Sequence, residues 1–130
     1  MAGRVLFFLS SGTFEPAFQA ASMGITAAAM GDEVYFVLAF DALRALSRDS
    51  FGAPRSEREM AESARAEGLG VANPAKMLAE ARQMGAKVIA CDTTLRICGL
   101  SAADLAGRLD EAMGLASIWR LAEGARTVSL

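Results

Sequence analysis

Three short apolar runs, each followed by a stretch of helical composition, constrain the fold of this chain more than any other feature. The runs are Arg4–Leu9 (RVLFFL), residues 33–40 (EVYFVLAF) and residues 87–90 (KVIA). Continuous apolar runs of this length are typical of strands in a sheet that is covered on both faces. Since strands alternate with helices, the sequence predicts an α/β fold with a mostly parallel sheet.

The chain of 130 residues is expected to form a single domain, 1–130, that ends in a short strand over residues 126–130. The first helix, predicted over residues 14–30, carries no charge from residue 17 onward. A helix without a polar face is normally buried on most sides. Because one domain of this size has little to cover it with, we expect a second subunit to do so.

Composition excludes several classes of function. The net charge of −2 gives no basic surface for nucleic acid or anionic lipid. No run is long and apolar enough to cross a membrane, and no signal peptide is apparent. We therefore expect a soluble, cytoplasmic protein whose two cysteines stay reduced. The polar residues 47–72 are interpreted as a solvated insertion, with a mobile cover over a site as the alternative.

The absence of histidine limits the chemistry further. It excludes Ser-His-Asp and Cys-His nucleophile activation, and it removes the commonest metal ligand. The cysteines and carboxylates do not have the spacing of a zinc site. We predict neither a metal site nor a cofactor.

Cys91 is the candidate catalytic residue. It follows the apolar run 87–90 and precedes a polar helix start at Thr93 and Thr94. Ligands of open α/β sheets collect outside the carboxyl ends of the strands. A helix N-terminus behind a cysteine also favours the reactive thiolate. The alternative interpretation is a small buried core residue, which is common for free cysteine.

Polar residues at other predicted strand ends are candidates for binding. The loop after the first strand (SSGT) can present backbone amides to an anion, although it is equally typical of an ordinary tight turn. In a parallel sheet this loop, the end of the second strand and Cys91 lie at one edge. The predicted binding residues are Ser10, Ser11, Gly12, Thr13, Phe40, Thr93 and Thr94.

Cys98 is the second thiol, and its apolar neighbours Leu95 and Leu100 favour packing. On one continuous helix, Cys91 and Cys98 would be roughly 10 Å apart. A disulfide requires Cα atoms about 4.4–6.8 Å apart, so a bridge needs a bend between them.

The sequence resembles the DsrE/DsrF-like family, the YchN and TusD group of sulfur-relay proteins. The resemblance covers nearly the whole chain and is most specific in MLAEARQMGAKVIACDTTLRICGL, which is similar to the family's helix, Gly, short strand, Cys and polar helix start. It implies a three-layer α/β/α architecture with about five strands, including a short one near residues 110–114. It also implies homo-oligomers, trimers or hexamers. In sulfur-relay members the cysteine at the Cys91 position accepts sulfane sulfur as a persulfide and passes it to a partner.

The resemblance thus implies an intracellular sulfur-trafficking protein, either a carrier or a sulfurtransferase, with Cys91 as the persulfide site and sulfur donor and acceptor proteins as partners. Two alternatives stay open. One is a non-catalytic module that binds a small anion in the strand-end pocket. The other is a thiol oxidoreductase that uses Cys91 and Cys98.

Overall fold

The computed structural model describes residues 3–130 and contains a single parallel sheet in this part of the chain. Its order is β4-β3-β2-β1-β5, and every neighbouring pair is parallel. This confirms the predicted α/β fold, including the short strand before the last helix. The strands are β1 (Arg4–Leu9), β2 (Glu33–Leu38), β3 (Lys87–Cys91), β4 (Glu111–Met113) and β5 (Arg126–Ser129).

Helices occupy most of the connections between strands. A 3₁₀ turn, Ala102–Leu105, also precedes β4. The N-terminus of α4 is fixed as its sequence predicts, because the Asn73 side chain accepts a hydrogen bond from the Lys76 amide at 2.9 Å and proline follows it. The helices are α1 (Phe14–Ala29), α2 (Asp41–Ser47), α3 (Glu57–Gly68), α4 (Pro74–Gln83), α5 (Asp92–Ile97) and α6 (Leu115–Leu121).

Alternation along the strands divides the core between the two faces of the sheet. On the first face, Phe7, Phe36 and Val88 belong to a large cluster that includes residues of α1, α2 and α4. On the second face, Leu6, Val37, Ile89 and Cys91 pack with Ile118 of α6. The chain therefore forms three layers, with the second face covered by the short helix α6.

The path of the chain explains why α6 lies alone on its face. Strands β1 to β4 follow one another across the sheet, and then the chain returns from β4 at one edge to β5 beside β1. Crossovers between parallel strands are right-handed, so a return in the opposite direction places its helix on the opposite face. The helices that follow β3 and β4 consequently diverge to opposite faces, which creates a topological switch point at the carboxyl ends of these two strands.

The uncharged helix α1 is covered within the chain on the sides that face the sheet and α4. Its buried residues include Ala17, Ala20 and Gly24, and a Cβ atom on Gly24 would come within 2.2 Å of the Phe36 ring. The opposite flank of α1 packs along α4, where the Ser22 hydroxyl lies 3.6 Å from the Met77 sulfur. The outer side of α1, with Gln19, Met23 and Thr26, is exposed although it carries no charge. Cover by a second subunit therefore stays a prediction.

The insertion over residues 47–72 contains α3, which has no buried residue. An ion pair of 2.8 Å between Arg58 and Glu15 connects α3 to α1. Exposed ion pairs contribute little to stability. The helix α3 is therefore solvated, whereas Phe51 of the same insertion is buried in the first-face core.

Asp110 attaches the edge strand β4 to the rest of the sheet. Its carboxylate accepts hydrogen bonds from the Val88 amide at 2.7 Å and from the Arg82 guanidinium at 2.8 and 3.2 Å. Partial burial by itself would raise the pKa of Asp110, but the hydrogen bonds from Arg82 and Val88 outweigh it and hold the pKa below its ordinary value. The ionised form therefore stabilises the folded state.

We expect Asp110→Asn to lower the free energy of unfolding at neutral pH by about 1–3 kcal/mol, because the partly buried Arg82 loses its paired acceptor. Since the folded-state pKa is depressed, the wild-type contribution is full above the unfolded pKa of about 4 and is lost as pH falls through the folded value. Urea unfolding at neutral and acidic pH measures both effects. The exposed Glu123→Gln is the control, and a pH-independent difference between Asp110→Asn and wild type would contradict this account.

Candidate functional site

Cys91 is the last residue of β3 and lies opposite Met113 of β4, at the switch point of the sheet. Its side chain faces α6 and packs with Val37 and Ile118. The residue is 5% exposed. Alternation along β3 turns the Cys91 side chain into the second-face core, as the alternative interpretation of a small buried residue expects.

A cavity of about 360 Å³ nevertheless opens onto Cys91. Its walls come from the carboxyl ends of β1, β2, β3 and β5, from the first turn of α5 and from α6. Buried residues such as Ile118 form its floor, whereas the exposed Leu115, Ser10 and Ser129 lie at its mouth. The lining residues are Phe8, Leu9, Ser10, Val37, Ala39, Cys91, Thr94, Leu115, Ile118, Ser129 and Leu130.

The cavity is apolar apart from hydroxyl groups. Ser10, Thr94 and Ser129 supply these hydroxyls, and within residues 3–130 the lining side chains carry no charge. The Thr94 hydroxyl donates to the Cys91 carbonyl oxygen at 3.2 Å, which fixes the strand end against the first turn of α5. Asp92 lies outside the lining and forms an ion pair with Arg96 at 3.1 Å.

The loop after β1 contributes less to the cavity than its sequence predicts. Ser10 lines the cavity, but the three residues that follow it do not. The Gly12 amide donates to the Asp41 carboxylate at 2.7 Å, and the Thr13 amide donates to the Ser11 hydroxyl at 3.2 Å. These two amides already have intramolecular acceptors, so the loop links β1 to α2 and α1.

Phe40 and Thr93 also lie outside the cavity lining, whereas Ala39 and Thr94 are part of it. Phe40 comes after the end of β2 and has a positive φ of 47°, which is uncommon for a bulky residue. Its carbonyl oxygen accepts hydrogen bonds from the Leu43 and Arg44 amides at 3.0 Å, so this turn starts α2. Of the seven predicted binding residues, the structure brings Ser10 and Thr94 together with Cys91.

Cys98 lies at the opposite end of α5 and is half-buried. The Arg44 guanidinium donates to its sulfur at 3.3 Å. Arg44 belongs to α2, which packs on the first face, whereas the Cys91 side chain lies on the second face. Because α5 runs uninterrupted between the two residues, their Cα atoms are roughly 10 Å apart at the helical rise. The geometry therefore argues against a Cys91–Cys98 disulfide.

The structure adds residues that the sequence analysis missed. Leu115 and Ile118 of α6, together with Phe8 and Ser129, complete the cavity over Cys91. The apolar spacing of Leu115 and Ile118 is the only signal for them in the sequence. It shows that one side of this helix is apolar but not which strand end the helix covers.

Neither a metal-binding cluster nor a membrane-spanning helix occurs in the described residues. Residues 3–130 contain no group of three or more cysteine and acidic side chains arranged to hold a metal ion. Over the same range, none of the helices has the length and apolar character needed to cross a membrane.

Comparisons with known proteins give matches in structure. No protein-family profile and no curated protein sequence matches the chain. The ychN protein of E. coli superposes with a TM-score of 0.69 and 18% identity, over 100% of both chains. The chain shares the fold of the ychN protein.

Two further solved structures have this fold, and both are described as proteins of unknown function. One, from Methanobacterium thermoautotrophicum, has a TM-score of 0.69 and 20% identity, covering 98% of this chain and 99% of its own. The other, from Bacteroides thetaiotaomicron, has a TM-score of 0.65 and 13% identity, covering 98% and 94%. The resemblance seen in the sequence is thus supported at the level of a ychN-like fold.

The exposure of the two thiols predicts different reactivity. In single-cysteine variants we expect the thiol of Cys98 (in Cys91→Ser) to react with iodoacetamide about tenfold faster or more than that of Cys91 (in Cys98→Ser), since access controls alkylation. Rates are measured by mass spectrometry on folded protein, with urea-unfolded protein as the control. Equal rates in the folded variants would show that Cys91 is not enclosed.

Proposed function

We propose that the protein carries sulfane sulfur as a persulfide on Cys91, as a carrier or a sulfurtransferase between a sulfur donor and an acceptor protein. The observation that supports this most directly is the cavity over Cys91. The cavity opens onto Cys91, whose thiol lies on the second face at the switch point of the sheet. Ligands of α/β proteins bind at such points.

Sulfur exchange suits a site of this composition. The Cys91 thiolate attacks the outer sulfur of a donor persulfide, the donor's S–S bond breaks, and the donor leaves as a thiolate. The outer sulfur keeps its proton and becomes the terminal sulfur of the Cys91 persulfide, so oxidation states are unchanged overall. This step requires neither a metal nor a histidine base, and the chain contains no histidine.

The cavity also suits storage of the product. Its volume of about 360 Å³ leaves space for a terminal sulfur beyond the Cys91 thiol. Apolar side chains such as Ile118 and Val37 surround the thiol and restrict access of other nucleophiles. A persulfide here is therefore shielded until an acceptor reaches the mouth.

Fold and sequence together support this proposal over the alternatives. The ychN-like fold agrees with the sequence resemblance to sulfur-relay proteins. A small-anion module is disfavoured because the Asp41 carboxylate occupies the Gly12 amide of the loop. A two-cysteine oxidoreductase is disfavoured because α5 separates the thiols.

The proposal includes the setting of the protein. We place it in the cytoplasm as a homo-oligomer, a trimer or a hexamer, as the resemblance implies. The exposed Trp119 on α6 provides apolar surface for such an assembly.

The test is intact mass spectrometry of reduced protein after exposure to a small persulfide donor. We expect Cys98→Ser to gain the mass of one sulfur atom that dithiothreitol removes, and wild type to gain this atom in addition to any sulfur on Cys98. Cys91→Ser should lack the sulfur atom that Cys91 carries. Peptide mapping of the alkylated protein shows which cysteine holds any sulfur that is gained. Loading confined to Cys98 in folded protein would overturn the proposal.

A further inference from the structure

The two thiols of this chain lie in opposite electrostatic surroundings. Cys91 opens onto a cavity whose lining side chains, within residues 3–130, are apolar or carry a neutral hydroxyl. Cys98 is half-buried beside the Arg44 guanidinium, 3.3 Å from its sulfur. A reagent that approaches Cys91 therefore meets no charged side chain in the cavity lining, whereas one that approaches Cys98 meets the Arg44 cation.

Charge is the property that such a cavity discriminates against. Transferring an unpaired charge from water to an apolar environment is strongly unfavourable, whereas an apolar or hydroxyl-bearing group enters at little cost. The cavity offers hydroxyls at Ser10, Thr94 and Ser129, but the described lining has no arginine or lysine to pair with a carboxylate. Its size of about 360 Å³ is near the lower end of the range of about 300–1,000 Å³ for small-molecule sites.

We infer that the sulfur donor for Cys91 is a compact persulfide whose carrier group has no charge, and that charged carriers such as glutathione are rejected. This inference rests on the proposed function, because it assumes that Cys91 accepts sulfane sulfur. It replaces the donor protein expected from the sequence by a small-molecule donor class, and it assigns the selection to the uncharged side chains of the lining.

The reaction at sulfur is the same for a donor with a neutral carrier group and for one with a charged carrier group, so the carrier group R is the only variable. The Cys91 thiolate attacks the outer sulfur of R–S–S–H, the S–S bond of the donor breaks, and R–S⁻ leaves. With R as hydroxyethyl the leaving group is neutral except at its sulfur. With R as glutathionyl, the carboxylates and ammonium of the peptide have to enter the cavity or remain crowded at its mouth.

The experiment compares 2-hydroxyethyl persulfide with glutathione persulfide on the single-cysteine variants Cys98→Ser and Cys91→Ser. The rate of sulfur gain is followed by mass spectrometry. For each donor, the rate of folded Cys98→Ser is divided by the rate of the same variant unfolded in urea, which removes differences in intrinsic donor reactivity. We expect this ratio to be about tenfold or more higher for the hydroxyethyl donor, since the folded cavity over Cys91 excludes charge.

The outcomes separate the two proposals. A higher ratio for the hydroxyethyl donor supports the inference. Equal ratios for the two donors, with Cys91 loaded by both, overturn the inference and leave the proposed function intact. Failure of folded Cys91 to load from either donor, while Cys98 loads, overturns the proposed function and this inference with it.

A positive charge introduced at the mouth of the cavity tests whether the uncharged lining causes the selection between donors. Leu115 lines the cavity and is 63% exposed, so Leu115→Lys is expected to fold. In the Cys98→Ser background it should raise loading from glutathione persulfide several-fold, because the lysine pairs with the peptide's carboxylates. Ser117→Lys is the matched control, since Ser117 is an exposed residue of the same helix α6 and is outside this lining. Equal effects of both lysines would show that the cavity does not select by charge.

Discussion

The return of the chain from β4 to β5 is the constraint on which the site depends. It brings α6 across the second face of the sheet, which the other crossovers leave uncovered. Ile118 of α6 then packs on Val37, Ile89 and Cys91, and the cavity forms between α6 and the strand ends. Without this crossover, the side chain of Cys91 would lie on an open sheet face in water.

Enclosure of Cys91 combines protection with limited access. A thiol that is 5% exposed reacts slowly with bulky reagents, but the cavity connects it to the surface beside the exposed Leu115. Cys98 differs in both respects, since it is half-buried and hydrogen-bonded to Arg44. The chain therefore holds two thiols that differ both in access and in electrostatic surroundings.

The fold follows from local patterns, whereas much of the site does not. The first apolar run predicts β1 with the bounds that the structure shows, and the Asn73–Pro74 pair predicts the start of α4. The position of Cys91 at a strand end is likewise readable from its neighbours. The sequence does not show that Asp41 occupies the Gly12 amide, or that Ile118 covers Cys91, because both contacts join segments far apart in the chain. Whether the Cys91 side chain is buried depends on which face of the sheet α6 covers.

The most direct test of the account is a crystal structure of donor-treated protein with sulfur located by anomalous scattering. The account predicts an additional sulfur about 2.05 Å from the Cys91 sulfur, the length of an S–S bond, directed into the cavity between Ile118 and Ser129. An additional sulfur on Cys98 alone, with the Cys91 cavity unchanged, would contradict it.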